Sequence, residues 1–571
     1  MKTLKYFIVT LLSVSMSACT DFMQPEKDGA LTQEYVLNSR THFIGTLYQA
    51  YLGLPNRVNF NYEAATDNAV TNLDNTASST GARNLSALSN PFGDVWESNY
   101  KYINIVNGFL SHMILDKTKP ISTPIKFDND STINIQTYKF LLGEAYFLRA
   151  WYELDLLKKY GGVASDGKAY GFIIVNKVLN ISDNLDLPRN SYYDCAQQIS
   201  NDCDSARKYL PLVFSAASGA KADGMATDNG HASGIAALAL KARTWLYAAS
   251  PAYNTTGTNL WPKAAQTAAD AIVASGGAID LMSFDDYHNR ANMNDAIYNN
   301  ADCFFRSTIN SGTSYESQNY PPRAFNGDGL VNPTQNLVDA FPMSDGYPRG
   351  TSPTASIKID PTNVATNRDP RLDKIIARNG EVFANVLLDT KSGGKDAYGS
   401  SLLATRTGYY LQKLMDQAVS LEPLKVVNKS YSNILLGKPE LYLNFAEAVI
   451  NATGNPDDNT YGFTARAILA KVRNKGLGSG NDKYLSTVNG KDAFLGLVKN
   501  ERRIELCFED YRFWDLRRWC TSATDLTALN APVYGIYSTN AVENRNYKSP
   551  YMPLPNSELL KTNNIQNNIG W

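Results

Sequence analysis

The densest group of side chains that could do chemistry runs from Glu501 to Trp519. Acids and arginines are interleaved there, and on a helix they would reach one another across neighbouring turns. Such a block could act in catalysis, but it is more typical of fixed ion pairs, because a planar guanidinium binds a carboxylate through two hydrogen bonds. The predicted structural network, which includes two side chains from another apolar helix, consists of Glu144, Arg149, Glu501, Arg502, Glu505, Glu509, Arg512 and Asp515.

Local catalytic and metal-binding motifs are missing from the sequence. The four histidines, His42, His112, His231 and His288, do not pair at the spacing of metal ligands. No HExxH, GxSxG or phosphate-binding GxxxxGK[ST] motif occurs. We therefore predict no catalytic residue, no metal site and no cofactor. Carboxylates far apart in sequence can still form a glycosidase site, so this alternative stays open.

Two loop stretches have the composition of a sugar-binding surface. Sugar recognition combines aromatic faces for C–H patches with amides and charged groups for hydroxyls. The predicted ligand-binding residues of the two stretches are Asp67, Asn68, Asn72 and Arg83, and Tyr315, Tyr320, Arg323, Phe325 and Asn326. The alternative for each residue is a solvated loop position or a turn-forming asparagine.

The first residues have the pattern of an export signal. Lys2 and Lys5 precede a short apolar run, and small residues then lead to Cys19. The run is too short to span a bilayer as a helix. The stretch from Met16 to Cys19 resembles a bacterial lipobox, which predicts lipidation of Cys19; the alternative is an ordinary signal peptide that is cut nearby.

The remaining composition excludes other classes of protein. With 54 Lys and Arg against 55 Asp and Glu, the chain has no excess positive charge to attract a nucleic acid. The five cysteines after Cys19 are scattered without a CxxC pair, so we expect them to be buried small residues.

The elements that must position these side chains are mainly helices. Apolar residues recur at spacings of three and four. The predicted helices cover about Trp96–His112, Gln136–Tyr160, Tyr192–Leu210, Ala232–Ala249, Trp261–Ala274, Glu440–Asn451, 460–475 and Lys491–Trp519. Gly161-Gly162 would end the second of them with a left-handed residue. Residues 275–430 are rich in Gly, Asn, Pro, Ser and Thr, which is typical of a functional region built from loops.

These patterns divide the chain into six segments. We predict a lipoprotein signal peptide, a lipidated tether, the first part of a helical scaffold, a loop-rich ligand-binding region, the helices that complete the scaffold, and a tail packed on it. The corresponding ranges are 1–18, 19–38, 39–275, 276–430, 431–520 and 521–571.

Several motifs make the sequence similar to a known family. The Glu501–Trp519 block, the GEAYFLRAWY stretch from Gly143 to Tyr152, and the YGGV stretch that begins at Tyr160 resemble hallmarks of SusD/RagB nutrient-binding lipoproteins. Further matches follow in family order, at Ala65–Asn68, Leu187–Ser191, Lys241–Tyr247, Asp369–Arg371, Asn444–Ala448 and Met552–Pro555. The segment after Gly162 departs from the family by lacking a proline at the strand start.

The resemblance implies both a fold and a function. The expected fold is all-α: a scaffold of tetratricopeptide-like helix pairs with an inserted loop-rich region. The expected protein is lipid-anchored in the outer membrane, faces the cell exterior, and passes oligosaccharides uncleaved to a TonB-dependent transporter of the SusC/RagA type. A peptide ligand of the RagB kind, a lipid-anchored glycoside hydrolase and a purely structural scaffold are the alternatives.

Overall fold

Helices are the main regular structure in the described part of the chain. The computed structural model describes residues 35–36, 39–113, 129–180, 182–213, 230–289, 300–324 and 326–571; Cys19, Phe325 and the predicted signal peptide lie outside these ranges. The helices are α1 (Arg40–Tyr51), α2 (Phe60–Glu63), α3 (Ala77–Asn84), α4 (Trp96–Met113), α5 (Ser131–Tyr160), α6 (Tyr192–Tyr209), α7 (Gly234–Ala249), α8 (Trp261–Ala274), α9 (Phe284–His288), α10 (Ser314–Asn319), α11 (Gln335–Ala340), α12 (Arg371–Ile375), α13 (Lys438–Thr453), α14 (Ala465–Leu477), α15 (Lys491–Glu505), α16 (Arg512–Arg518) and α17 (Asn556–Leu559).

Short strands pair two by two. The strands are β1 (Ala69–Thr71), β2 (Gly162–Val163), β3 (Ala169–Tyr170), β4 (Cys303–Arg306), β5 (Asn310–Gly312), β6 (Val331–Pro333), β7 (Ile376–Arg378), β8 (Val382–Phe383), β9 (Val386–Leu387), β10 (Tyr409–Leu411), β11 (Lys429–Tyr431) and β12 (Ile434–Gly437). All six pairs are antiparallel: β1 with β6, β2 with β3, β4 with β12, β5 with β11, β7 with β10, and β8 with β9. Most strands of the loop-rich region therefore find their partners far away in sequence.

The long helices pack in sequence order. Helix α1 lies on α4, and α4 to α8 each contact the next in turn, because each buries an apolar stripe against its neighbour. The series continues from α8 to α13, and α14 and α15 pack on α13 in turn. The loop-rich region is inserted between α8 and α13; it has one apolar cluster of its own and shares a second with the residues around α2 and the end of α15. The predicted all-α scaffold of helix pairs with an inserted loop-rich region is confirmed.

Helix α5 shows how the sequence sets the scaffold. The Asp130 carboxylate caps its first turn by accepting hydrogen bonds from two backbone N–H groups, Thr132 at 2.7 Å and Ile133 at 3.2 Å. The helix ends at Gly161, but the predicted left-handed stop is wrong, because Gly161 is extended with φ −64°. A side chain at Gly161 would collide with the Leu157 carbonyl and the Tyr192 ring, so close packing explains this glycine.

The predicted helix Lys491–Trp519 is two helices. Helix α15 ends at Glu505, and α16 begins at Arg512. Phe508 and Asp510, with φ 61° and 66°, adopt left-handed conformations between them. No Gly or Pro marks this break, so helical periodicity continues across it. Glu509 therefore lies in the connecting turn and not on the helical face of Glu501 and Glu505.

Residues 566–569 close the structure against the end of α5. The Asn568 side-chain amide donates to the Tyr160 carbonyl at 3.0 Å. The Arg189 guanidinium donates to the same carbonyl at 2.7 Å and to the Asn568 side-chain oxygen at 3.0 Å. The backbone N–H of Ile569 donates to the Val163 carbonyl at 2.7 Å. One buried arginine thus ties together three distant parts of the chain.

The described cysteines carry no disulfide. Cys195, Cys203, Cys303, Cys507 and Cys520 are free and buried, as predicted. Burial raises the pKa of the Cys520 thiol to about 11, so this side chain stays a neutral, small apolar group. Among the described helices, none has the length and apolarity needed to cross a bilayer.

Candidate functional site

The C-terminal acids and arginines form a buried ion-pair network. The Arg371 guanidinium on α12 lies 2.7 Å from Asp369, 2.7 Å from Glu501 and 2.8 Å from Glu505. Arg473 on α14 lies 3.1 Å from the second oxygen of Glu501. These side chains are essentially inaccessible to solvent. Paired and buried in this way, they hold α12, α14 and α15 together and leave no free acid for chemistry.

A second part of the network joins α13, α15 and α16. Asp515 accepts two hydrogen bonds from Arg502, both at 3.1 Å, and one from Arg518 at 2.8 Å. Arg518 also binds the Glu447 carboxylate through two hydrogen bonds of 2.5 and 2.7 Å. In the turn after α15, Glu509 lies 2.6 Å from Lys413. Burial disfavours the Glu509 carboxylate, but the Lys413 ammonium outweighs it and lowers the pKa to about 2.

The two predicted network members on α5 form separate ion pairs. Glu144 lies 2.6 Å from His231, and Arg149 donates to both oxygens of Asp202 at 2.6 and 2.8 Å. These pairs connect α5 to α6 and to the segment before α7. They stabilise the N-terminal helices and lie apart from the network around Glu501, so the sequence grouped side chains that the fold separates.

Asp67 and Asn68, predicted to bind a ligand, are engaged by the C-terminal network. Asp67 accepts two hydrogen bonds of 2.9 Å from Arg512 and lies 2.9 Å from Arg503. Burial opposes ionisation of Asp67, but the two guanidinium groups outweigh it and lower the pKa of its carboxyl. Asn68 accepts from Arg503 at 2.7 Å and donates to Glu63 at 2.7 Å. Both side chains join the segment after α2 to α15 and α16.

The other predicted residues of the first stretch hold backbone. Asn72 is buried and donates to the carbonyls of Asp328 at 2.6 Å and Leu403 at 2.9 Å. Arg83 donates to the carbonyl of Ser79 at 3.0 Å. Strand β1 in the first stretch pairs with β6, which follows the second stretch in sequence. Direct ligand contact by Asn72 and Arg83 stays a prediction.

The second stretch is divided between core and surface. The rings of Tyr315 and Tyr320 are 3% and 2% exposed, which leaves no face for a sugar in this conformation. The Tyr315 hydroxyl accepts from the Val58 N–H at 2.9 Å, and the Tyr320 hydroxyl donates to the Asp416 carbonyl at 2.7 Å. Both tyrosines were predicted to contact a ligand, but their rings fill apolar clusters and each hydroxyl satisfies a backbone group.

The last three predicted residues differ in their surroundings. Arg323 binds both oxygens of Asp396, at 2.7 and 2.5 Å, while part of its side chain stays exposed. Asn326 is exposed and left-handed, with φ 67°, which fits the turn-forming alternative. Phe325 lies outside the described residues. Ligand contact by these residues stays a prediction.

A cleft of about 460 Å³ lies elsewhere, between the first helices and the start of β12. It is lined mainly by residues 52–59, 95–102, 151–159, 433–435 and 509–511. We call it the α1–α5 cleft, because the loop after α1 and the last turns of α5 form two of its walls. Its volume lies within the range of small-molecule sites, on the order of 300–1,000 Å³.

Aromatic rings form one part of the cleft wall. Tyr102 on α4 and Trp151 on α5 are both half-buried. Tyr102 stacks on Tyr152, with 4.8 Å between ring centroids and 19° between planes. Trp151 packs edge-on against Phe305 at 5.7 Å. Gly53 is required beside them, because a Cβ at this position would overlap the Tyr102 ring and the Tyr152 hydroxyl. The rings are thus fixed before any ligand arrives.

The charged groups inside the cleft are mostly paired. Lys159 lies 3.0 Å from Asp155, and Lys158 lies 3.3 Å from Asp510. Asn99 donates to Asp155 at 2.9 Å. Burial opposes ionisation of Asp155, but the two lysines outweigh it and lower the pKa of its carboxyl. The rim adds polar groups at Arg57, Asn59, Ser98 and Asn433.

The sequence contained one signal for this cleft that the loop-based reasoning missed. Helix α5 is buried along most of its length, yet Trp151, Asp155, Lys158 and Lys159 recur on one face near its end. A stripe of charged and aromatic residues on an otherwise apolar helix indicates a lined cavity. The other walls of the cleft come from segments that are distant in sequence, and no local sequence pattern predicts them.

Comparisons with known proteins agree with this architecture. A model described as the SusD family matches residues 284–571, more than half of the chain, and one described as "Starch-binding associating with outer membrane" matches residues 21–246. No curated protein matches the sequence.

Solved structures from Bacteroides share the fold. A SusD-like protein of Bacteroides fragilis is 22% identical, with 95% of this chain and 99% of that one covered and a TM-score of 0.71. A SusD-like carbohydrate binding protein of the same species is 20% identical, with 93% and 99% covered and a TM-score of 0.68. A SusD superfamily protein of Bacteroides vulgatus is 16% identical, with 94% and 99% covered and a TM-score of 0.62. With its helix pairs, its inserted loop region and a family model over more than half its length, this chain belongs to the SusD family.

Proposed function

We propose that this protein binds oligosaccharides in the α1–α5 cleft and delivers them uncleaved to a TonB-dependent outer-membrane transporter of the SusC/RagA type. The observation that carries the proposal is a preformed cleft that combines half-buried aromatic rings with polar side chains. Its membership of the SusD family, and the description of one similar structure as carbohydrate binding, support this ligand class.

The chemistry of the cleft suits a sugar. Tyr102 and Trp151 offer apolar surface for the C–H patches of a pyranose ring. Asn59 and Asn433 provide amides whose donors and acceptors match hydroxyl groups. Because the stacked and edge-on packing of the rings fixes their orientation, less conformational entropy is lost when a ligand binds.

The paired acids favour binding over hydrolysis. A glycosidase needs two carboxyls across the scissile bond, and its general acid needs a raised pKa. Of the described acids that line the cleft, Asp155 has a lowered pKa, and the pKa of Glu509 is lowered to about 2. The third, Asp510, is held by Lys158. Asp155 and Glu509 are therefore not set up as proton donors at neutral pH, and this supports a non-catalytic role.

The location of the protein follows from its N-terminal sequence. We propose that the signal peptide is removed and that Cys19 is acylated, which anchors the protein in the outer membrane with the cleft facing the exterior. Several acyl chains anchor a protein stably, since each buried methylene adds ~0.8 kcal/mol. The outer-membrane association in the description of the N-terminal family model supports this location.

Filling the cleft tests the proposal. Ser98 is exposed on the first turn of α4 and lines the cleft, so Ser98→Trp occupies the ligand volume without removing a core contact. We expect at least a tenfold loss of affinity for the best glycan on an array probed with the chain lacking residues 1–19. The matched control is Ser111→Trp, which adds the same ring to an exposed position of α4 outside the cleft.

Three results would contradict the proposal. Equal glycan binding by both variants would place the ligand outside the cleft. Binding of peptides and not of glycans would replace the ligand class. Release of shorter sugars by the purified protein would replace the non-catalytic role with that of a hydrolase.

A further inference from the structure

Arg57 stands out among the cations of the α1–α5 cleft. The other three that line it are neutralised: Lys158 by Asp510, Lys159 by Asp155, and Arg243 by Glu440 through two hydrogen bonds of 2.6 Å. Arg57 is exposed, and in the described part of the chain no carboxylate lies within ion-pair distance of its guanidinium. The positive charge of this one residue is therefore left uncompensated.

The backbone around Arg57 is held from several directions. The Asn433 side chain donates to the Pro55 carbonyl at 3.3 Å, and the Ser307 hydroxyl donates to the Asn56 carbonyl at 3.4 Å. On the other side, the Val58 N–H donates to the buried Tyr315 hydroxyl at 2.9 Å. The loop is thus fixed immediately before and after Arg57. Only the side chain has to be ordered when a ligand binds, which lowers the entropic cost of using it.

The acids of the cleft do not offset this charge. Asp155 and Asp510 are held by lysines of the cleft, and Glu509 is held by Lys413 behind the wall. An anionic group entering the cleft therefore meets one free guanidinium and no unpaired carboxylate among the described lining residues. A guanidinium binds a carboxylate or a sulfate through two parallel hydrogen bonds, whereas a neutral hydroxyl offers it a weaker partner.

From this arrangement we infer that the preferred ligand is an anionic glycan, with a uronate carboxylate or a sulfate ester bound by Arg57. The inference rests on the proposed function and adds the charge class of the sugar to it. Tyr315, predicted from sequence as a direct ligand contact, acts here as a positioning residue, because its hydroxyl fixes the backbone beside Arg57.

Matched pairs of glycans test the inference. Uronate oligosaccharides are compared with their methyl esters, and sulfated oligosaccharides with their desulfated forms, by calorimetry at low and high salt. We expect the wild-type chain lacking residues 1–19 to prefer the anionic member of at least one pair by about tenfold, which corresponds to ~1.4 kcal/mol. We expect the preference for the anionic glycan to fall at high salt, because the ion pair between Arg57 and the glycan lies at the exposed rim of the cleft and is partly screened.

Variants assign the preference to Arg57. Arg57→Gln should bring the ratio of anionic to neutral affinity close to one, and Arg57→Lys should restore part of it, since lysine keeps the charge but not the planar fork. Lys425→Gln removes an exposed charge outside the cleft and should leave the ratio unchanged.

The outcomes separate the two proposals. Glycan binding that Ser98→Trp blocks, but with no preference for charge or with one that survives Arg57→Gln, would overturn this inference alone. Absence of glycan binding by the wild type would overturn the proposed function and the inference together. Which of the two glycan pairs shows the effect distinguishes a carboxylate from a sulfate.

Discussion

Three largely buried acids, Glu63, Glu505 and Glu509, differ in whether a cation contacts them. Glu505 and Glu509 are each within 2.6 Å of a lysine, and both carboxyls have lowered pKa values. Glu63 is equally buried, but its hydrogen-bond donor is the neutral Asn68 amide, and burial raises its pKa to about 7. Its second carboxylate oxygen has no partner within the described structure. Glu63 is therefore a carboxyl that the fold prefers to keep protonated.

Replacing Glu63 should change how stability depends on pH. Because its folded pKa lies above the unfolded value of 4.5, its protonated form is favoured by folding, and this stabilisation is lost as pH rises through 7. Glu63→Gln stays neutral at every pH. We expect its stability advantage over the wild type to be about 2–3 kcal/mol larger at pH 8 than at pH 5, measured by denaturant unfolding.

The exposed Glu97 provides the control for this experiment. Glu97→Gln removes the same charge from the surface of α4 and should shift stability by less than about 0.5 kcal/mol at both pH values. If Glu63→Gln differed from the wild type by the same amount at pH 5 and pH 8, Glu63 would titrate as an ordinary surface acid.

Individual contacts show where sequence reasoning stopped. The block from Glu501 to Trp519 was predicted to form ion pairs, and each of its predicted members has one. Asp67 and Asn68 were predicted to contact ligand, but in the structure they bind arginines on α15 and α16. These partners lie more than 430 residues away in sequence, so no local pattern indicated them. Residue type predicts what a side chain can bind, but only the fold decides which partner it meets.

Helices α14 and α15 are held together through a contact that only glycine permits. Gly476 on α14 lies against the Arg371 guanidinium, where a Cβ would overlap Nε. The same guanidinium is the cation between Asp369, Glu501 and Glu505. Glycine in a helix interior costs roughly 1 kcal/mol relative to alanine, and here it makes room for the centre of the network.

Two glycine-to-alanine changes in neighbouring helices should act in opposite directions. Gly476→Ala displaces Arg371, which leaves the buried Asp369 short of a cation and weakens the pairing of Glu501 and Glu505, so we expect a loss of about 2–4 kcal/mol in the free energy of unfolding. Gly496 on α15 is exposed, and nothing lies within 4 Å of a Cβ there. Gly496→Ala should therefore stabilise by about 0.5–1 kcal/mol.

Denaturant unfolding of the two variants measures both changes. A gain in stability for Gly476→Ala comparable to that of Gly496→Ala would show that Arg371 has space to move. A loss of stability for both variants would show that the loss at Gly476 is not specific to the displacement of Arg371.

The bounds of the predicted long helices agree with the structure to within five residues, whereas helix α1 and the break after Glu505 were not predicted. Helix α8 was predicted with the bounds it has, and α6 and α7 within two residues, since apolar periodicity and flanking prolines mark them. The break between α15 and α16 was not predicted, because Phe508 and Asp510 adopt left-handed backbone conformations that are uncommon for residues other than glycine. The α1–α5 cleft was missed because its walls come from five separate segments.

At the scale of the whole molecule, the N-terminal sequence predicts a lipid anchor at Cys19. We expect Cys19→Ala to move the protein from the membrane fraction to the soluble fraction of cells that export it, because a thiol is needed for acylation. Fractionation followed by immunoblotting measures the change. Cys520→Ala removes a buried thiol and serves as the control; it should leave the protein in the membrane fraction. Retention of the Cys19→Ala variant in the membrane would exclude lipidation at this residue.

The contacts between residues 566–569 and the end of α5 affect the order in which parts of this protein can fold. Asn568 donates to the Tyr160 carbonyl, which lies 408 positions earlier in the sequence. Asn568 also accepts a hydrogen bond from Arg189, which lies 379 positions earlier. Before residue 568 has been synthesised, the Arg189 guanidinium can already bind the Tyr160 carbonyl and the backbone carbonyls of Gly171 and Tyr170. The remaining contacts at the end of α5 form only when nearly every residue has been added, which favours late completion of this part of the fold.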